Sequence, residues 1–434
     1  MRSSGGITEA RNEDGSWQSS GEVDSFQLLA SLTEWPEQVT VWPDPENEPP
    51  FWGGLLGLVG YEAGRFVERK LELPYHLDEP EFYFLSAEKL ILVDHQLEQS
   101  YLVLWSDQSK LPLTEALADN LIRSFAEQLL APAPALAQEA PELSPLFEER
   151  FSRAEFVRLV EAAKEYIAAG EAYQIVLSNT LAATCEVDPL RAYDRLVRNN
   201  ASPFHYLVEF GEAQTFVGAS PETMLCGGPD KENGKQVKVA IRPVKGTYRR
   251  SEDAQEDRLL VQQLLGDSKE LAEHLMLVDH ERNDLGRVAR VGSVQVHGLF
   301  SVESYQHLHH LISQVSAVLS PTENVVSALR ACFPIGTLCG TPKVRAMELV
   351  CELEGEARGI FGGAIVTLSH RGQIDSCVAI RGASISPSGV VVKAGAGIVF
   401  DSLPDKEYEE CRLKARSMLE SLFGVSPIQA VSRQ

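Results

Sequence analysis

Basic residues are in short supply in this chain. Its 39 lysines and arginines face 62 aspartates and glutamates, a formal net charge of -23. Sequence-independent nucleic-acid binding requires clustered Lys and Arg, and so does attraction to an anionic membrane, so the composition argues against both partners. Cysteine pairs are also missing. Cys185, Cys226, Cys332, Cys339, Cys351, Cys377 and Cys411 are scattered and form no CxxC, which predicts reduced thiols in a cytoplasmic protein. The opening "MRSSGGITEARNEDGSWQSSGE" has no apolar h-region, so no signal peptide is expected. The most hydrophobic early stretch, "FWGGLLGLVGY", is too short to span a bilayer. A Walker A loop is absent as well, because Pro342 precedes Lys343 and Val344 follows it.

What is present is an ordinary globular composition, 44% hydrophobic and 23% charged over 434 residues, enough for one large domain or two smaller ones. Residues 1–37 are mostly polar and Gly/Ser-rich and are expected to form a mobile tail. Alternating runs such as "EFYFLSAEKLILVDH" predict antiparallel strands within an N-terminal subdomain, 38–135. Residues 136–150, rich in Ala, Pro and Glu, have the composition of a linker. From 151 to 425 the helical period of "SRAEFVRLVEAAKEYIAAGEA", capped by Ser152, is followed by strands and helices without regular alternation. That order predicts an α+β fold with large antiparallel sheets.

Several groups could carry chemistry. Glu270 and Glu273 share a helix face, as do Glu407 and Glu410, and two such pairs could converge on a hard divalent cation. The same spacing suits helix capping, with Asp267 and Glu270 as a capping box and Glu407 and Glu410 as first-turn acids. "FPIGTLCGTPKVRAMEL" runs a Gly/Thr/Pro loop into a helix whose amides could hold an anion. "KAGAGIVF" reads as a close-approach turn at Gly395, Ala396 and Gly397. Arg381, alone in the apolar "CVAIRGAS", calls for an anionic partner, and a carboxylate suits it. Of His307, His309 and His310, one is expected to be functional; nothing in their spacing supports zinc. Lys245, in "AIRPVKGTYRR", could be a solvated cation, an ion-pair partner or a nucleophile.

In order, "YQIVLS", "SPETML", "RPVKGT", "KELAEHLMLVDHERNDLGRV", "HHLIS", "PIGTLCGTPKVRAMEL", "GIFGGAI", "CVAIRGA", "KAGAGIV" and "EYEECRLKAR" closely resemble the chorismate-utilising enzymes. These include anthranilate, aminodeoxychorismate, isochorismate and salicylate synthases. The resemblance implies an anthranilate synthase component I-like sandwich of antiparallel sheets with helices outside. It implies Mg²⁺ held by Glu270, Glu273, Glu407 and Glu410, and substrate contacts from His310, Thr337, Arg381, Gly395, Ala396, Gly397 and Lys414. Glu222 matches the general acid for the departing 4-hydroxyl.

Two positions sort the branches. Gln174 stands where the isochorismate and salicylate synthases carry a lysine base, which disfavours water addition. Lys245 in "PVKGT" resembles the "PIKGT" of aminodeoxychorismate synthase component I rather than the "PIAGT" of anthranilate synthases. In that branch the lysine is a covalent nucleophile, and desolvation is expected to lower its pKa from about 10.4. The implied product is 4-amino-4-deoxychorismate, on the route to 4-aminobenzoate and folate; anthranilate synthesis is the rival, and a non-catalytic chorismate- or amino-acid-binding regulator is the rival of another class. No G-x-C-x-G elbow is present, so the resemblance implies ammonia from a separate glutamine amidotransferase subunit. Phe361 departs from the tyrosine of anthranilate synthases.

Overall fold

The alternating runs become strands of two large sheets and, for Lys89–Asp94 with Gln99–Leu104, of a separate two-stranded sheet. The computed structural model describes residues 1–4, 7–11, 17–19, 24–33, 42, 47–68, 70–74, 79–105, 115–131, 146–210, 214–230, 233–305 and 308–424. The twelve-stranded sheet is ordered Val244–Arg249, Leu308–Val318, Val237–Ile241, Thr223–Pro229, Ile374–Val378, Ala364–Ser369, Gly54–Val59, Phe82–Ser86, Arg2–Ser4, Ile7–Arg11 and Trp17–Ser19, with Gln295–Ser304 also on Leu308–Val318. The seven-stranded sheet is ordered Phe204–Phe210, Gln214–Ser220, Gly382–Ser386, Gly389–Ile398, Gln174–Ala183 and Gly340–Thr341, with Glu148–Glu149 beside Gln174–Ala183. Neighbouring strands pair antiparallel. The expected α+β class is the one found.

The sheets meet face to face. Leu58, Ile365 and Cys377 from the larger sheet join Tyr206, Val208, Phe210 and Phe216 from the smaller in one buried cluster. This burial of apolar side chains holds the sandwich closed. The Ser268–Gly286 helix covers the larger sheet, placing Val278 and Leu285 against Val315 and Ala317. The Pro404–Phe423 helix covers the smaller sheet through Ala415, Met418 and Leu419, which pack with Leu181, Val392 and Ala394. Both helices start and stop for local reasons. Asp267 accepts hydrogen bonds from the Lys269 and Glu270 amides, while Pro404 opens the other helix and left-handed Gly424 closes it.

A buried ion pair ties the smaller sheet to the short helix Gly336–Cys339 and to the helix Lys343–Glu354. Arg358 is 2% exposed and donates to both Glu354 oxygens and to the Leu338 and Val176 carbonyls. Glu354 in turn accepts from the Ser178 amide and hydroxyl.

The N-terminal expectation needs correction. Arg2–Ser4 pairs with Phe82–Ser86, and the Met1 ammonium donates to the Phe84 carbonyl at 3.1 Å. The Ser25–Leu32 helix buries Phe26 and Leu29, Phe26 lying edge-on to Phe82 at 4.9 Å. Polar composition hid one amphipathic turn signal, Asp24 before "SFQLL". The expected linker 136–150 lies outside the described residues up to 145. Among the described residues no helix is long and apolar enough to cross a membrane.

Candidate active site

Two chain crossovers between the sheets run side by side and define the site. The chain passes from Ser220 in the smaller sheet to Thr223 in the larger, and returns between Val378 and Gly382. The Glu222 carbonyl accepts from the Val378 amide at 3.0 Å, and the Arg381 carbonyl accepts from the Ala219 amide at 3.1 Å. Arg381 has a φ of 49°, a left-handed backbone in a non-glycine residue that marks a strained corner. Its guanidinium has no ion-pair partner among the described residues, so it remains open to an anionic ligand.

Glu222 is 7% exposed and accepts a hydrogen bond from the Thr337 hydroxyl at 2.8 Å. Burial pushes its carboxyl up to about 7, against that hydrogen bond and the charges of Lys245, Lys414 and Arg381. A buried carboxyl that stays partly protonated near neutrality is suited to donate a proton.

Lys245 is on a strand, not in a loop. It opposes Leu311, and the register shifts between Lys245 and Thr247. Gly246 supplies the bulge with a φ of 80°, and a Cβ there would come within 3.3 Å of Glu270 Oε2. Lys245 Nζ reaches Glu273 at 3.0 Å with the side chain 33% exposed. Burial draws the ammonium toward neutrality, but Glu273, then Glu270 and Glu410, outweigh it and hold the pKa above its usual value. This corrects the expectation of a lowered value: with carboxylates alone around it, Lys245 stays charged.

The acid pairs come from opposite layers. Glu270 and Glu273 lie on the helix covering the larger sheet, and Glu407 and Glu410 on the helix covering the smaller. Burial, with the partner acid adding to it, raises the Glu270 and Glu407 carboxyls. Burial also works on Glu410, but Lys414, 2.8 Å away, outweighs it and lowers that carboxyl. Lys245 is electrostatically close to Glu270, Glu273 and Glu410, so both pairs face one cationic neighbour. Among the described residues, no three His, Cys, Asp or Glu side chains are gathered tightly enough to ligate one ion. The donor set nevertheless fits a hard cation: four carboxylates from two helices, two held up by burial and mutual repulsion.

Gly395, Ala396 and Gly397 do not form the expected turn. They lie within the Gly389–Ile398 strand and oppose Ser178, Leu177 and Val176. Glycine there serves close approach: a Cβ on Gly397 would stand 2.6 Å from Gln174 Nε2. Lys414 donates to the Gly395 carbonyl at 2.9 Å, which brings this strand to the acid cluster. The His310 ring contacts the Thr247 hydroxyl at 3.0 Å, and burial lowers its pKa, keeping the imidazole neutral. His309 is spent internally on Ser304 and Asp257. His307 lies outside the described residues.

Sequence reading missed two participants. Lys269, 3.7 Å from Glu273, also acts on Glu407 and Glu410; its place after a capping aspartate looked like helix surface. Glu281, on the same helix, is fully buried, and burial raises its carboxyl well above the usual range. A glutamate in "DHERND" gives no sequence signal of burial.

A profile described as chorismate binding enzyme matches residues 7–420. Anthranilate synthase component 1 of Acinetobacter calcoaceticus is 34% identical over 418 residues, covering 95% of this chain and 82% of that protein. The Thermus thermophilus protein of the same name is 37% identical over 376 residues, covering 86% and 78%. The crystal structure of anthranilate synthase component I from Streptococcus pneumoniae superposes with a TM-score of 0.81 at 31% identity, covering 96% of this chain and 91% of that one. The chain belongs to the chorismate-binding enzyme family. The names of these relatives favour the anthranilate branch over the aminodeoxychorismate branch that the sequence motif suggested.

Proposed function

We propose that this chain aminates chorismate with ammonia supplied by a separate glutaminase subunit, and that the product is 4-amino-4-deoxychorismate. The observation that carries the product assignment is Lys245, which the Gly246 bulge leaves 3.0 Å from Glu273 and near enough to Glu222 for its charge to act on that carboxyl. Arg381, Lys414 and Thr337 on the short helix Gly336–Cys339 would receive the substrate's carboxylates, and neutral His310 would line the ring. Mg²⁺, when bound by Glu270, Glu273, Glu407 and Glu410, would hold the ring carboxylate and cancel the acid charge facing Lys245. Lys245, after releasing its proton to solvent, attacks C2, the C4–O bond breaks, and Glu222 protonates the departing hydroxide to water. Ammonia adds at C4, and the C2–N bond to Lys245 breaks, returning the amine to its starting state.

A second reading is anthranilate synthesis, in which ammonia attacks C2 directly and pyruvate is eliminated. The names of the similar proteins favour it. One experiment separates the two: the purified chain is incubated with chorismate, Mg²⁺ and ammonium, and products are identified by liquid chromatography and mass spectrometry. The first reading expects 4-amino-4-deoxychorismate, and a Lys245 adduct when ammonia is withheld. Lys245→Ala should lose that product by about two or more powers of ten, equivalent to about 2.7 kcal/mol or more of barrier, while slow 2-amino chemistry persists. Anthranilate from the unmodified chain, with no adduct, establishes the second reading instead.

A further inference from the structure

Glu281 is the largest unexplained feature beside the site. It is 0% exposed on the inner face of the Ser268–Gly286 helix, and neither carboxylate oxygen has a hydrogen-bond partner among the described residues. A buried carboxyl in that condition is costly unless it is uncharged or serves a purpose. The groups that face it come from four elements. Asp284 lies one turn along its own helix, Lys343 on the Lys343–Glu354 helix, Cys332 at the end of Val325–Cys332, and Glu222 on the crossover. Lys343 offsets the burial of Glu281 only in part, because its ammonium is engaged by Asp284 at 2.5 Å and the Cys332 carbonyl at 3.0 Å. Glu281 is therefore a buried acid with two unpartnered oxygens, which burial favours in the uncharged form, and the charge of Glu222, the proposed proton donor, acts on it.

We propose that Glu281 is the proton reserve of Glu222, resupplying it through a bound water and touching no substrate itself. This rests on the chorismate-amination reading. The protons balance over the cycle. Glu222 gives its proton to the leaving hydroxide, which departs as water. Glu281 passes its proton to the Glu222 carboxylate and becomes a carboxylate. The proton shed by the newly added ammonia then returns through Glu222 to Glu281, and both acids are restored. A glutamine at 281 keeps the shape and neutrality of the side chain but cannot relay a proton, whereas aspartate can, over a shorter reach.

The test compares the unmodified chain with Glu281→Gln and Glu281→Asp in saturating ammonium. Expected for Glu281→Gln is a fall in kcat of about ten-fold or more, with KM for chorismate within about two-fold and a larger solvent deuterium isotope effect on kcat. Glu281→Asp should retain more activity than Glu281→Gln. A Glu281→Gln enzyme with unchanged kcat and unchanged isotope effect overturns the proposal while leaving the amination reading intact. If the unmodified chain does not turn over chorismate at all, both fall together. Should Glu281→Gln fail to fold, infrared spectroscopy of the unmodified chain and Glu281→Asp decides. A protonated carboxyl band that moves with the Asp substitution supports the relay, and its absence, meaning a charged Glu281, overturns it.

Discussion

Thr337 and Glu222 share one hydrogen bond, and that bond favours the charged carboxylate that burial disfavours. On the proposed function the proton on Glu222 is the one the reaction spends, so the working form lies below a pKa of about 7 and kcat should decline as pH rises through that value. Thr337→Val removes a bond to the ionised form, so the falling limb of the kcat–pH profile should move to higher pH. A limb that stays in place would show that Thr337 does not tune the acid. Stability follows the same sign. The native state holds a proton that the unfolded chain releases above 4.5, so the contribution of Glu222 to stability declines between 4.5 and about 7. At the scale of single residues the sequence singled out Lys245, Glu222 and Arg381, and the structure places Glu222 and Arg381 on adjoining crossovers with the charge of Lys245 acting on Glu222. The sequence was uninformative about Glu281 and about the charge state of Lys245, because both depend on partners brought in by tertiary packing: Glu273 lies 28 positions from Lys245.

Elements decide where these side chains point. The bulge at Gly246 lets Lys245 turn toward Glu273 while the strand continues to pair with Leu308–Val318. Gly246→Ala places a side chain at a φ of 80° against Leu311 and Glu270. It should cost about 1–3 kcal/mol of stability, read as a lower urea midpoint, and reduce kcat in the same variant. Unaltered turnover in a destabilised variant would mean that the bulge does not aim the lysine. The helices were legible from period and caps, Ser152 and Asp267 being the residues found at those starts. The "KAGAGIV" stretch was misread because two glycines resemble a turn when the partner strand is out of view. Its pairing with Gln174–Ala183 comes from more than two hundred positions earlier in the chain. The polar N-terminal residues misled for the same reason, since their strand partner is Phe82–Ser86.

For the molecule as a whole, the Arg358–Glu354 pair joins the strand Gln174–Ala183, the short helix Gly336–Cys339 and the Lys343–Glu354 helix. Arg358→Ala strands Glu354 as a buried charge and should cost about 3–5 kcal/mol, measurable by denaturant titration; a loss below about 1 kcal/mol would refute that role. Glu222 and Arg381 sit where the chain changes sheets, and the four candidate metal acids come from helices on opposite layers. No half of the sandwich therefore owns the site. One consequence concerns synthesis on the ribosome. The Pro404–Phe423 helix, which brings Glu407, Glu410 and Lys414, leaves the exit tunnel after both sheets have been translated. Nascent chains stalled before that helix can begin to collapse domain-wise, yet they lack Glu407, Glu410 and Lys414, so on the proposed function turnover is expected only once that helix has docked.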